Sequence, residues 1–414
     1  MNRRDFLKMS SLAAVVPSFG LTAAQKGSDK SSFPAVVTDN PVSCFRVKPY
    51  VQLFDENKVS VVWMTTEKAT GYVTWSQDGW ATSRRAWNEC DGLLDANTLV
   101  HRAVIEGFDS RKRLEYKVHS RVFANFGPYK VKYSRKEEVL SCVLKPVLPA
   151  DGAITWAMFN DVHKNLAVYD RLIPHLSDIS AFCVFNGDII SHVDSENDVL
   201  SGLLGPFSRV TQEAGLPVWY LRGNHETRGA FAREMRNYLA LKNSSYYGSA
   251  TIGGVRFVFI DTGEDKMDSH RAYSGLVDFD GYIARECEWL RREVASADWK
   301  NARARVVMRH IPPTFITANK KKWQPNLPRI HELDKILAGA NVTLAMAAHI
   351  HNWRWHEPIP ERPYPMIVGG GQMLKKPTHR GCATLVKCRL DASGLSVKMV
   401  DQFGAVLINK LLRI

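Results

Sequence analysis

The chain has 414 residues, too many for one ordinary core, since domains usually run about 100–200 residues, so two domains are expected. At 45% hydrophobic and 23% charged it has the composition of a folded globular protein, which excludes a disordered or collagen-like chain. No run of about 18 apolar residues occurs, which excludes a polytopic membrane protein, and the net charge of +13 is spread along the chain rather than gathered into a basic stripe, so nucleic acid is not an expected partner.

Residues 2–8 read Asn-Arg-Arg-Asp-Phe-Leu-Lys and lead into a mild apolar stretch from Met9 to Ala24. This order resembles a twin-arginine export signal built on Arg3 and Arg4, with cleavage near Ala23 or Ala24. Residues 1–24 are therefore expected to be the signal and 25–43 a polar linker. The resemblance implies a periplasmic or secreted protein with no stable membrane anchor. Seven cysteines without a CxxC pair argue against a disulfide framework or a zinc ribbon, and most read as small buried hydrophobes.

From 44 to 147 short β-branched and aromatic runs alternate with turn residues. The clearest are 59–65, 71–76, 98–105, 114–123 and 139–144. Roughly seven strands without a good amphipathic helix predict a small antiparallel sandwich. The runs Lys58-Val-Ser-Val-Val-Trp63 and Glu115-Tyr-Lys-Val118 resemble strands of fibronectin-III-like modules, in particular the module that precedes the catalytic domain of purple acid phosphatases. Trp63, Trp75, Trp80 and Trp87 are read as strand-core aromatics rather than a carbohydrate platform.

After the boundary at Pro146–Gly152 the rhythm becomes strand, loop, helix. Strands are expected at 154–159, 181–185, 218–221, 256–260, 305–308 and 344–347. Helices are expected near 169–176, 203–213, 230–241, 283–294 and 327–337. Such alternation predicts a largely parallel α/β sheet with its site at the carboxyl ends of the strands.

Five of those strand ends present Asp, Asn or His: Asp161-x-His163, Asp188 after Gly187, Gly223-Asn224-His225-Glu226, His310, and His349-x-His351. Oxygen and nitrogen donors of this kind suit borderline transition metals. Seven candidate ligands exceed the needs of one ion that must also bind water, so two ions are implied, the arrangement that clamps both the attacking and the leaving oxygen in phosphoryl hydrolysis. A carboxylate bridges two cations best, because its two anionic oxygens screen their repulsion. A shared water would then supply hydroxide near neutral pH for in-line attack on phosphorus.

Together the five motifs resemble the calcineurin-like metallophosphoesterase superfamily over about 190 residues. The resemblance implies a four-layer αββα sandwich over 152–414, preceded by the fibronectin-III-like sandwich of 44–147. It further implies a dinuclear centre in which Asp161, His163 and His351 bind one ion, Asn224, His310 and His349 the other, and Asp188 bridges them. His225 would face the substrate and assist the departing oxygen. The cofactors would be two divalent or mixed-valence transition-metal ions among Mn, Fe and Zn, and the partner a small phosphate ester.

Three departures qualify the family pattern. Ser191 stands where purple acid phosphatases carry tyrosine, which argues against a ferric charge-transfer site. The same position holds an aspartate in the superfamily's protein phosphatases, where it orients the histidine; here His192, Asp194 and Glu226 are the candidates for that task. Ala348 replaces a glycine before His349. Arg228 is a candidate phosphate ligand or a surface charge, and Gly369-Gly370-Gly371 reads as a tight turn beneath the site. The expected function is an exported metal-dependent phosphomonoesterase or phosphodiesterase. The alternative is a metal-stabilised, catalytically inactive binding protein.

Overall fold

The computed structural model of the chain describes residues 43–134, 136–313, 328–374 and 380–414. The twin-arginine segment and His379 lie outside them.

Two large sheets face each other. In the first, the strands Ile154–Phe159, Phe182–Asn186 and Val218–Leu221 run parallel, as expected for strands joined by helical crossovers. Three antiparallel C-terminal strands, Thr384–Asp391, Gly394–Asp401 and Val406–Leu412, extend this sheet beyond Ile154–Phe159. The second sheet has the order Gly248–Ile252, Val255–Ile260, Ala304–Arg309, Leu344–Ala347, Met366–Val368, Arg354–His356. Its central strands are also parallel.

Both faces of each sheet are apolar, which is why its central strands are almost uninterrupted hydrophobic runs. Between the sheets Trp156, Phe182, Met346 and Phe257 pack in one core. Outside the first sheet, Phe159 and Phe185 meet Tyr169, Leu203 and Phe207 of the helical segments Ala167–Leu172 and Leu200–Ala214. Outside the second, Val258 and Val307 meet Ile283, Leu290 and Leu333 of the helices Phe279–Ala295 and Pro328–Ala338. The result is the expected mixed α/β sandwich of four layers.

An all-β region precedes it. Phe45–Asp55, Lys58–Ser76, Thr98–Glu106, Leu114–Phe126 and Glu138–Leu144 form an antiparallel array. The array joins the first catalytic sheet through a parallel bridge, Gln52 to Val218. The runs expected at 59–65 and 71–76 are one 19-residue strand, because a register shift between Met64 and Ala69 carries the pairing across Glu67 and Lys68. Trp63 and Trp75 are core residues as expected, whereas Trp80 occupies a turn with Lys117 over its ring and Trp87 is at the surface.

The helix expected at 230–241 is instead a loop with a short 3₁₀ turn, Met235–Tyr238. Its backbone polar groups are claimed by side chains of the β region. Arg102 donates to the carbonyls of Asn237 and Leu239, Tyr50 donates to that of Tyr238, and Gln52 accepts from the Ala240 amide at 2.7 Å. Such bonds satisfy the chain without the i to i−4 ladder, so tertiary partners override the amphipathic pattern. All seven cysteines are free, and all but Cys90 are buried. Among the described residues no helix is long and apolar enough to cross a membrane.

Candidate metal centre

Six of the seven expected ligands, Asp161, His163, Asp188, His310, His349 and His351, come together because each follows the carboxyl end of a strand. Asp161, His163, Asp188 and His351 form one group able to hold a cation, and Asp188, His310 and His349 form a second. Asp188 belongs to both. Its Oδ2 lies 3.2 Å from His310 Nε2 and 3.8 Å from His163 Nε2. Asp161 Oδ1 lies 3.2 Å from His351 Nε2, and the Nε2 atoms of His163 and His351 are 3.0 Å apart.

The backbone here adopts conformations that side chains rarely take. Asp161, His163, Asp188, His349 and His351 all have φ between 48° and 73°. Left-handed backbone at five non-glycine ligand positions costs energy and persists where the surroundings over-determine it. Those surroundings are visible. His163 N donates to Asp188 O at 2.9 Å and Asp161 N to Gly187 O at 3.0 Å. His349 N donates to Asp161 Oδ2 at 2.9 Å, and Asn160 Nδ2 donates to the same oxygen at 2.8 Å. Ala348 has no such backbone strain and is fully buried, so this position does not need glycine for its backbone angles.

Two glycines are required for close approach. A Cβ on Gly187 would lie 2.4 Å from His310 Nδ1, and one on Gly223 would lie 2.3 Å from both the amide and Oδ1 of Asp188. The Asp188 and Asn224 loops can meet only without those side chains.

Glu226 locks the same loops. Fully buried, it accepts four backbone N–H bonds, from Gly223, Asp188, Ile189 and Ile190, at 2.6 to 2.9 Å. Burial, and then the Asp188 charge, push its carboxyl up to about 7, and the backbone donors work against that shift. It therefore braces the loops and does not orient His225.

The group that holds His225 is the main chain of Ser191. His225 Nδ1 donates to the Ser191 carbonyl at 2.6 Å, and its amide donates to Asp188 Oδ1 at 3.0 Å. The side-chain position noted as departing from the family thus supplies its backbone oxygen. With Nδ1–H so engaged, the half-exposed ring points Nε2 toward the centre, 3.9 Å from Asp188 Oδ2. The His192 ring lies 6.5 Å from that of His225.

Arg228 is committed elsewhere than sequence suggested. Its guanidinium makes a forked bond to Glu264 at 2.6 and 2.8 Å and a further bond to Asp265 at 2.9 Å, leaving Nη1 3.4 Å from His225 Nε2. The Gly369–Gly371 segment, expected as a tight turn, instead continues past the strand Met366–Val368 without one, its amides bonded to the Ala347 and Cys382 carbonyls and Asn160 Nδ2 bonded to the Gly370 carbonyl at 2.8 Å.

The donor set fits transition cations. Asn224 Oδ1 is buried without a hydrogen-bond donor, which is costly for an amide oxygen unless something else satisfies it. Burial pushes His163 down to about 4, and burial together with His310 pushes His349 down to about 3, so both rings are neutral with lone pairs to give. At His310 burial acts in the same direction, yet Asp188 outweighs it and lifts the ring to about 10. A positive charge is favoured between those two side chains. His310 Nδ1 donates to the Asn186 carbonyl at 2.9 Å, which aims Nε2 at Asp188.

Comparison with known proteins agrees with this geometry. The calcineurin-like phosphoesterase family matches residues 155–353, the span that carries every candidate ligand. No match was found among the curated proteins. Among solved structures, the chain is similar to purple acid phosphatase PPD1 from yellow lupin (Lupinus luteus) seeds, with 14% identity and a TM-score of 0.63 over 87% of this chain and 73% of that one. It is also similar to PhoD, with 12% identity and a TM-score of 0.59 over 91% of this chain and 94% of that one. At such identities the likeness speaks for the fold. Five strand ends, two Asp/His groups sharing one aspartate and the family match over them converge on one conclusion: the chain carries a calcineurin-like phosphoesterase domain and is a metal-dependent phosphoesterase.

Proposed function

We propose that the protein is an exported dinuclear hydrolase of phosphoric mono- or diesters. The observation that supports this most is the sharing of Asp188 between two cation-competent groups. Asp161, His163 and His351 would hold one ion and Asn224, His310 and His349 the other, with Asp188 between them. Bound there, two Mn, Fe or Zn ions supply Lewis-acid polarisation of phosphoryl oxygens and a lowered pKa for water.

The chain's own residues do the rest. Asp188 carries the anionic charge that keeps two cations close. Glu226 and the two close-approach glycines fix the loops, so the ligands need little rearrangement on binding. His225, aimed by Ser191, turns Nε2 toward the departing oxygen to assist it, and the adjacent Arg228 Nη1 favours anionic oxygens beside it. Export is supported by the Arg3-Arg4 pattern, and fractionation of cells producing the full chain tests it. We read 44–147 as the fibronectin-III-like module and 152–414 as the catalytic domain; the antiparallel array of the N-terminal strands supports that division.

The test is hydrolysis of para-nitrophenyl phosphate and bis-para-nitrophenyl phosphate by wild type and His225→Ala. The variant is expected to lose about 10²-fold or more in kcat, the usual share of a general acid, while metal content holds. Unchanged kcat in the variant would remove His225 from the reaction. The ratio of the two wild-type rates ranks monoester against diester.

A further inference from the structure

The segment 222–227 has two sides. His225 faces the metal centre, whereas Arg222 and Thr227 line a separate open pocket of about 430 Å³. Its wall is strongly basic. Arg222, Arg233, Arg236 and Arg285 border it, and among the described lining residues Asp278 is the one carboxylate. Asp278 is already engaged, accepting the Gly281 amide at 3.0 Å as the cap of the helix Phe279–Ala295.

The guanidinium groups have donors to spare. Each carries five N–H donors. Arg233 gives one to the Leu276 carbonyl at 2.9 Å, and Arg236 one to the Ser244 carbonyl at 3.1 Å. Arg222 lies over Tyr246, its Cζ 4.2 Å from the ring centre, with Nη2 bonded at 2.6 Å to Asp261. Asp261 is itself fixed by the Tyr282 hydroxyl at 2.9 Å. The Arg222 Nε–H is buried and finds no acceptor. A buried, unpaired donor on a charged group costs more than a neutral one, and it adds to the positive potential at this end of the pocket.

We propose that this pocket is a second anion site, distinct from the metal centre, that takes a phosphate dianion, either inorganic phosphate or the phosphoryl group of a monoester. Planar guanidinium forks match the oxygens of such a group, and Arg233, Arg236 and Arg285 present theirs from exposed positions on the wall. The site stands on its own residues and does not require the catalytic reading.

Titration calorimetry of the metal-loaded full chain with inorganic phosphate tests it. Wild type is expected to bind two phosphates. Arg236→Ala with Arg285→Ala, both at exposed positions, weakens one of the two at least about tenfold and leaves the other. Asp188→Asn removes the other and leaves this one. If wild type binds a single phosphate that only the arginine variant weakens, the pocket stands and the metal-centre reading falls. Two sites of unchanged affinity in the arginine variant would overturn the proposal, as would a single site lost only in Asp188→Asn, or no binding. Phenyl phosphate, titrated into Asp188→Asn so that it is not consumed, separates the sources. Tighter binding than inorganic phosphate identifies an ester as the ligand, and equal binding identifies free phosphate.

Discussion

Asp188→Asn is expected to lower turnover by about 10³-fold or more, because the metal-derived stabilisation it supports is worth several kcal/mol in the transition state. The substitution keeps the size of the side chain and removes its charge. The carboxylate now stands 3.2 Å from His310, 3.8 Å from His163 and 3.9 Å from His225, and its Oδ1 accepts the His225 amide. An amide offers one neutral oxygen, and its NH₂ would oppose either a cation or an imidazole donor. Both ion sites should therefore weaken together, and bound metal should drop from two ions per chain to one or none. Metal analysis and kcat on the same sample check this. Near-normal kcat with two ions retained would show that Asp188 does not bridge.

Glu226→Ala is expected to cost about 3–5 kcal/mol of stability, because it strands several buried backbone donors at once. Four backbone N–H groups lose their acceptor at once, and each buried orphan costs about 1–3 kcal/mol before water relieves part of it. Urea unfolding at fixed metal measures the change. Glu226→Gln should fall between wild type and alanine, since its oxygen keeps some of the donors while its NH₂ faces the rest. A loss below about 1 kcal/mol in the alanine variant would mean that the loops are held by something else.

The Asp and His residues that come together were readable from sequence because each sits within four residues of the end of an apolar strand, so local pattern and chemistry coincide. The parallel strands followed from the alternation of strand and helix, whereas the αββα layering was implied by the family resemblance. What escaped depends on partners far away along the chain. His225 is aimed by the Ser191 carbonyl, and a main-chain oxygen leaves no mark in residue type. Glu226 was visible beside Asn224-His225, yet its bonds to residues 188–190 exist only once two loops meet. Arg228 was read as a free charge or phosphate ligand because Glu264 lies 36 residues away. The segment 230–241 has a helical pattern, and only the folded Arg102, Tyr50 and Gln52 reveal why it loops instead. The three C-terminal strands and the Gln52 to Val218 bridge were likewise beyond local pattern.

The central claim is a phosphoesterase centre of two metals sharing Asp188. Its most direct test is hydrolysis of para-nitrophenyl phosphate by chelated protein as Mn, Zn or Fe is added back in measured equivalents. The geometry predicts no turnover without metal, little at one equivalent, and full activity at two. Turnover that survives complete chelation, or that saturates at one ion per chain, would contradict it.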